Sequence, residues 1–312
     1  MLKNIIQFLY PIKKMLSKIK ASFTPERNYA FYSRLSPKKY EKEQKRAFKI
    51  VFGKKLTREN VKTFNEKIQW LRCYDNTPIK TILADKYRVR DYVKKQVGEK
   101  YLIKLLGVWN NFDEIDFSKL PKSFVLKANH GCGWNILVTD KKTLNIEKAK
   151  QNMKEWLNTN YAFYFLELQY RNIHPKIIAE EFISNSSNNL YDYKVYCFNG
   201  RPEYIQFIGD RATPPTREIF LDRNWIPQPF TYTYPRYETL PPKPTCLDEL
   251  LSVAEKLAAN FAYVRIDLYV LNDNSIRFGE MTFTPAGGMD HWTPPEWDLK
   301  LGNLLKLPEK ED

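Results

Sequence analysis

Near the C-terminus, two short apolar runs are joined by a turn at Asn272, Asp273 and Asn274, and the second stops at Thr284-Pro285-Ala286-Gly287-Gly288. Such a pattern leaves few options beyond an antiparallel hairpin. Strand side chains alternate, so Arg265 and Asp267 share one face while Val264, Ile266 and Leu268 share the other, and the return strand brings Glu280. Two carboxylates and an arginine on adjacent strands are costly unless something pairs them. A divalent cation carrying a polyphosphate would pair all three, with Asp267 and Glu280 on the metal and Arg265 facing phosphate. A half-exposed surface ion pair, which contributes little, is the other reading of the same residues.

The 312 residues suit two or three packed units, and 43% hydrophobic and 15% aromatic content argues against widespread disorder. The net charge is +14, but residues 1–60 hold twelve Lys and four Arg against four Glu, so +12 of it lies there. A nucleic-acid binder is therefore not implied: the main body is near neutral and no RNA or DNA motif occurs. Cys73, Cys132, Cys197 and Cys246 have no C-x-x-C spacing. This suggests neither a zinc site nor a disulfide scaffold, and fits reduced thiols in the cytoplasm. No apolar run approaches the length of a membrane span, and no signal peptide is read. Ile5, Phe8, Leu9, Ile12, Met15, Leu16 and Ile19 form one helical stripe with Lys13, Lys14 and Lys18 off it. A basic amphipathic helix of this kind can rest on an anionic membrane, or pack as an ordinary helix kinked at Pro11.

Along the chain, helices are expected over 25–60, twice within 61–98, over 145–158, and through Leu247, Leu250, Leu251, Ala254, Leu257, Ala258 and Phe261. Strands are expected at 123–128, 135–139 and 176–183, with a hairpin at 191–198 and 203–208 turning on Asn199-Gly200. The Pro-, Arg- and Tyr-rich stretch 211–245 reads as irregular. Strand–helix alternation is weak, so the fold class is α+β.

Three further elements carry chemistry. Lys127 ends a strand and leads into His130-Gly131-Cys132-Gly133-Trp134, then a second strand. Glycines let the loop backbone approach phosphate oxygens, and Lys127 supplies a point charge; a tight hairpin with a surface lysine is the alternative. The pattern is neither a G-x-x-x-x-G-K-[ST] loop nor a G-x-G-x-x-G fingerprint. Glu180, Glu181, Phe182 and Ile183 end an apolar strand and can meet the edge of a purine ring. Lys194 shares a face with Asp192 and can meet phosphate or pair with that carboxylate.

In this order, these elements resemble the ATP-grasp superfamily, in two α+β subdomains that clasp ATP. Leu126-Lys127-Ala128-Asn129-His130-Gly131, the run from Asp192 to Gly200, and Arg265-Ile266-Asp267-Leu268-Tyr269 resemble the TupA-like ATP-grasp family, over about residues 60–305. The resemblance implies ATP binding by Lys86, Lys127, His130, Gly131, Gly133, Glu180, Glu181, Phe182, Ile183 and Lys194. It implies one or two Mg²⁺ ions on Asp267 and Glu280, and catalytic charge on Arg265 and Lys194. Thr282 stands where such enzymes commonly place a ligating Asn, and a hydroxyl is the weaker ligand. The implied segments are a basic helical 1–60, a helical 61–120, a lid at 121–185, a metal-bearing subdomain at 186–306, and a polar tail at 307–312. The implied activity is an ADP-forming carboxylate–amine ligase acting through an acyl phosphate. It joins an amino acid or similar amine to a uronic acid of a surface polysaccharide or its precursor, on the cytoplasmic side and peripheral to the membrane. Arg201, Arg211 and Arg217 are candidates for the acidic sugar, with Trp225, Tyr232 and Tyr234 for its ring. The alternatives are a sugar kinase on this fold, or a membrane-attached scaffold protein with a degraded ATP site.

Overall fold

A computed structural model describes residues 25–57, 59, 61–184, 190–209 and 215–309. The amphipathic stretch 5–19 and Arg211 lie outside the described residues. The architecture is α+β, as expected, and is built on two antiparallel sheets. The first contains β1 (Leu105–Trp109), β2 (Phe124–Ala128), β3 (Asn135–Val138) and β4 (Ile177–Glu181), in the order β1-β4-β2-β3. The second contains β5 (Asp192–Phe198), β6 (Arg201–Gly209), β7 (Arg217–Asp222), β8 (Tyr263–Val270) and β9 (Ile276–Thr282), in the order β7-β6-β5-β8-β9.

Each sheet buries one face. On the first, Phe124, Leu126, Val138, Ile177 and Ala179 pack with Ala149 and Met153 of α6 (Ile146–Leu157). On the second, Tyr193, Val195, Ile205, Val264, Ile266 and Leu268 meet Leu247, Leu250, Ala254 and Leu257 of α8 (Leu247–Ala258). Each fully buried leucine of that stripe contributes about 1.5–3 kcal/mol. The opposite face of the second sheet is half covered. Phe64, Ile68 and Leu71 of α3 (Phe64–Tyr74) lie over Tyr196, Phe198, Tyr263 and Trp292, together with Leu301 of α9 (Glu296–Leu304). A capping box starts α3 sharply: Thr63 accepts from the Glu66 amide at 3.3 Å, and Glu66 accepts from the Thr63 amide at 3.0 Å. The other half of this face keeps its polar side chains.

Four further helices complete the frame: α1 (Pro25–Tyr32), α2 (Tyr40–Phe52), α4 (Pro78–Ala84) and α5 (Val89–Gln96), with a single turn α7 (Ala162–Phe165) after α6. Two strands were not foreseen. β1 lies within a segment read as helical; its five half-buried residues show no alternation. β7 lies inside the stretch read as irregular. There the fully buried Glu218 interrupts the apolar pattern that marks a strand.

Candidate active site

The register of the second sheet assembles the polar cluster. Lys194 pairs with Asp267 across β5 and β8, and Asp267 pairs with Glu280 across β8 and β9. Arg265 pairs in turn with Thr282. Directly paired residues share a face, so five functional side chains lie on the polar half of one surface. A β-bulge makes this possible. Glu280 pairs with Asp267 but Phe278 pairs with Leu268, leaving Gly279 as the extra residue. Without it, Phe278 and Glu280 would share a face; with it, Phe278 enters the apolar core while Glu280 joins Asp267. A Cβ at Gly279 would come 3.0 Å from the Asp267 carbonyl oxygen, which is why glycine serves there.

Asp267 is bracketed by cations. Arg265 Nε donates to Oδ1 at 2.6 Å and Nη2 to Oδ2 at 2.8 Å, while Lys194 Nζ donates to Oδ2. Burial pushes the Asp267 carboxyl up, but the adjacent Arg265 and Lys194 charges outweigh it and hold it below the ordinary value. Arg265 also reaches Glu280 at 3.5 Å and the Thr282 hydroxyl at 3.1 Å, and Thr282 donates to Glu280 Oε1 at 3.1 Å. Thr282 thus orients Glu280 through its proton. Among the described residues, no group of three or more His, Cys, Asp or Glu is placed to hold a metal with protein donors alone. The donor set still suits Mg²⁺, which is bound through one or two carboxylates plus substrate phosphates rather than by an all-protein cage. Asp267 and Glu280, paired across β8 and β9, are the two carboxylates on this face that would hold it.

The first sheet supplies a second bracketed carboxylate. Lys127 and Glu180 lie on one face and pair at 2.6 Å, and Arg90 of α5 reaches the other oxygen of Glu180 at 2.9 Å. Glu181 points the opposite way and is exposed; Phe182 and Ile183 are half-buried where the chain leaves β4 toward the second sheet. The loop after Lys127 is held by Asn129, whose amide donates to Asp85 at 2.9 Å and to the His174 carbonyl at 3.0 Å. Its side-chain oxygen accepts from the Lys176 amide at 2.7 Å. Lys86 Nζ donates to the Gly131 carbonyl, so Lys86 does lie against the glycine loop. Gly133 adopts φ +74°, and a Cβ at Gly131 would come 2.4 Å from the Trp134 ring.

Several expected residues lie elsewhere. His130 is buried, with Nδ1 3.2 Å from Asn129 Oδ1 and Nε2 3.0 Å from the Trp156 carbonyl oxygen. It faces the protein, and burial pulls its imidazole below the ordinary pKa. Arg201 sits at the β5–β6 turn, 3.2 Å from Glu203. Arg217 falls on the α8 side of β7 by alternation with Glu218, and contacts the Arg236 carbonyl at 3.5 Å. Neither joins the cluster. Trp225 is a core residue whose indole N–H donates to the Pro241 carbonyl at 3.0 Å, and Tyr232 stacks on Trp292 at 4.3 Å. Sequence reasoning missed Arg90, Asn129 and Gly279. Only Gly279, a lone glycine within a strand, left a readable signal.

A sheet with a lysine-bearing strand that leads into a glycine loop, and a second sheet with a bulged pair of acidic strands, are the parts of an ATP-grasp protein. The chain belongs to the TupA-like ATP-grasp family, whose sequence profile matches residues 66–306. No curated protein compared with it matches. It is similar to the solved D-alanine–D-alanine ligase from Bacillus anthracis complexed with ATP, at 17% identity over 65% of this chain and 55% of that one, with TM-score 0.41. It is similar to an L-amino acid ligase from Bacillus licheniformis at 16% identity, over 79% and 56%, with TM-score 0.48. It is also similar to an N5-carboxyaminoimidazole synthase from Aspergillus clavatus at 15% identity, over 66% and 45%, with TM-score 0.37. The chain thus spans about half the length of these solved chains.

Proposed function

We propose that the protein is an ATP-dependent carboxylate–amine ligase. The observation that carries this reading is the registered pair Asp267 and Glu280 on the polar half of one sheet face, flanked by Lys194 and Arg265. A substrate carboxylate attacks the γ-phosphorus of ATP, the bond from that phosphorus to the β–γ bridging oxygen breaks, ADP leaves and an acyl phosphate forms. Lys127, Lys194 and Arg265 offset the negative charge that spreads in transfer, a reaction governed mostly by positioning and electrostatics. Mg²⁺ bound with ATP supplies further charge neutralisation at the phosphates. An amine then displaces phosphate from the acyl carbon, and the site must exclude water until it does.

The acceptor carboxylate we favour is a uronic acid of a surface polysaccharide or its precursor, with an amino acid as the amine. The family's ATP-grasp character and the four cations around the two bracketed carboxylates support an acidic, phosphate-bearing substrate set. The basic excess in residues 1–60 supports peripheral attachment to an anionic membrane; no helix among the described residues is long and apolar enough to cross one. ADP release across a panel of uronates and amino acids, with mass spectrometry of the products, tests the activity. ADP that requires both substrates and accompanies an amide is expected. A stable phosphorylated carboxylate formed without amine, or no ADP with any pair, overturns it. Deleting residues 1–20 is expected to abolish sedimentation with phosphatidylserine vesicles while sparing ATP binding; equal sedimentation of both forms refutes the attachment.

A further inference from the structure

We infer that Glu167 is the residue that receives the amine substrate and takes its proton. This rests on the ligase reading above, which leaves the proton acceptor unnamed. Most buried carboxylates near the cleft are already committed. Glu180 and Asp267 are each held by a lysine and an arginine. Asp85 accepts from Asn129 and from the amides of Tyr87 and Arg88. Glu218 accepts from Gln206 at 2.6 Å and from the amides of Tyr232 and Thr233. Glu167 forms no ion pair with a lysine or arginine among the described residues. Its Oε1 accepts from the Thr284 hydroxyl at 2.6 Å, and Gln169 Nε2 donates to that hydroxyl at 2.9 Å. The residue as a whole is half-buried, while its carboxyl lies deep among protein atoms.

Its placement ties it to the reaction centre. Thr284 lies immediately past β9, the strand that bears Glu280. Glu280 is close enough to act on the Glu167 charge, and the Cys132 thiol of the glycine loop is acted on by both glutamates. Glu167 therefore stands where the glycine loop, the acidic strands and the Thr284 turn converge. Tyr161 and Tyr170, edge to face at 5.0 Å, flank the same place and feel the same two carboxylates. A carboxylate beside aromatic rings is a good receptor for an ammonium group.

The chain accepts strain to hold this residue. Leu166, just before it, has φ 56°, a left-handed conformation that is an outlier for a bulky side chain. The turn is pinned on two sides: Gln44 of α2 donates to the Leu166 carbonyl at 2.9 Å, and Arg72 of α3 donates to the Phe165 carbonyl. Burial raises the Glu167 carboxyl above its ordinary value, with Arg72 the chief opposing charge, which moves it toward proton acceptance. In the step itself the amine, its ammonium proton already released to solvent, attacks the acyl carbon through its free nitrogen lone pair and the C–N bond forms. The bond from that carbon to the phosphate oxygen breaks, and phosphate leaves with the electron pair. The proton lost by nitrogen passes to Glu167.

The test uses the full chain with the uronate–amino acid pair that gives most ADP, and compares that amine with hydroxylamine, a weakly basic nucleophile that reports acyl phosphate without needing a base. Glu167→Gln is expected to keep hydroxamate formation within about threefold while amide formation falls at least ~100-fold, the size of general-base contributions. Glu167→Asp is expected to recover part of the amide rate. Amide formation within threefold of wild type in Glu167→Gln, or equal loss of hydroxamate and amide, overturns the assignment. A wild-type protein that forms neither product with any pair refutes the ligase reading itself, and the assignment with it.

Discussion

Both sheets present a carboxylate held between one lysine and one arginine, yet they hold it differently. In the second sheet Asp267, Lys194 and Arg265 all come from β5 and β8, so strand register alone fixes the cluster. In the first sheet Lys127 and Glu180 come from β2 and β4, but Arg90 reaches in from α5, a helix packed against α8 behind the other sheet. One cluster is part of a rigid surface. The other is a tie between the two halves of the protein, and its geometry depends on how those halves sit. On the ligase reading proposed above, the metal-binding end of ATP would lie at the second-sheet cluster and the adjustable grip at the tie.

The largest effect is expected from Asp267→Ala. Its side chain is 4% exposed, and removing it leaves Lys194 a buried charge without its partner and Arg265 with Glu280 alone, at a cost of about 3–5 kcal/mol. Denaturant titration checks this; a loss below about 1 kcal/mol would mean that the cluster is not the rigid one. Glu280→Gln separates chemistry from stability, because its side chain is 31% exposed. Turnover is expected to fall by roughly 10³-fold or more with a nearly unchanged melting midpoint, in the range seen when a charge-stabilising group is lost. Arg90→Met probes the tie. It leaves Glu180 with Lys127 alone, and is expected to cost about 1–3 kcal/mol and to weaken ATP binding, whereas Lys127→Met should weaken ATP binding more than it affects stability.

The smallest expected effect is a pH dependence at the glycine loop. Burial lowers the His130 pKa below 6.5, so between its folded value and 6.5 the unfolded chain binds more protons than the native one. Stability should therefore be fully present above pH 6.5 and decline as pH falls through that window. His130→Asn should flatten this slope, as read from urea midpoints at pH 5 to 7; an unchanged slope would show that His130 does not carry it.

The hairpins at 192–209 and 263–282 were legible because alternation and turn residues, Asn199-Gly200 and Asn272 to Asn274, speak locally. So were Arg265, Asp267 and Glu280 as one polar cluster on the second of these hairpins. What stayed hidden depends on distant partners. Glu218 breaks the apolar pattern of β7, yet it is buried because the amides of Tyr232 and Thr233 close over it, and no local rule announces that. Arg90 looks like any exposed helical arginine until α5 is docked. The family resemblance implied ATP binding by His130, and the Trp156 carbonyl on the far side of the loop turns it inward. Glu167 follows a turn held by Leu166 in a conformation that sequence rules assign to glycine.

The central claim is that the polar half of the second sheet grips magnesium and triphosphate together. Calorimetric titration with a non-hydrolysable ATP analogue, with Mg²⁺ and with a chelator, tests it most directly in the wild type and in Glu280→Gln. Binding that tightens at least tenfold with Mg²⁺ in the wild type, and loses that dependence in the variant, is the predicted result. The same affinity with and without Mg²⁺, or an undiminished Mg²⁺ dependence in Glu280→Gln, would contradict it.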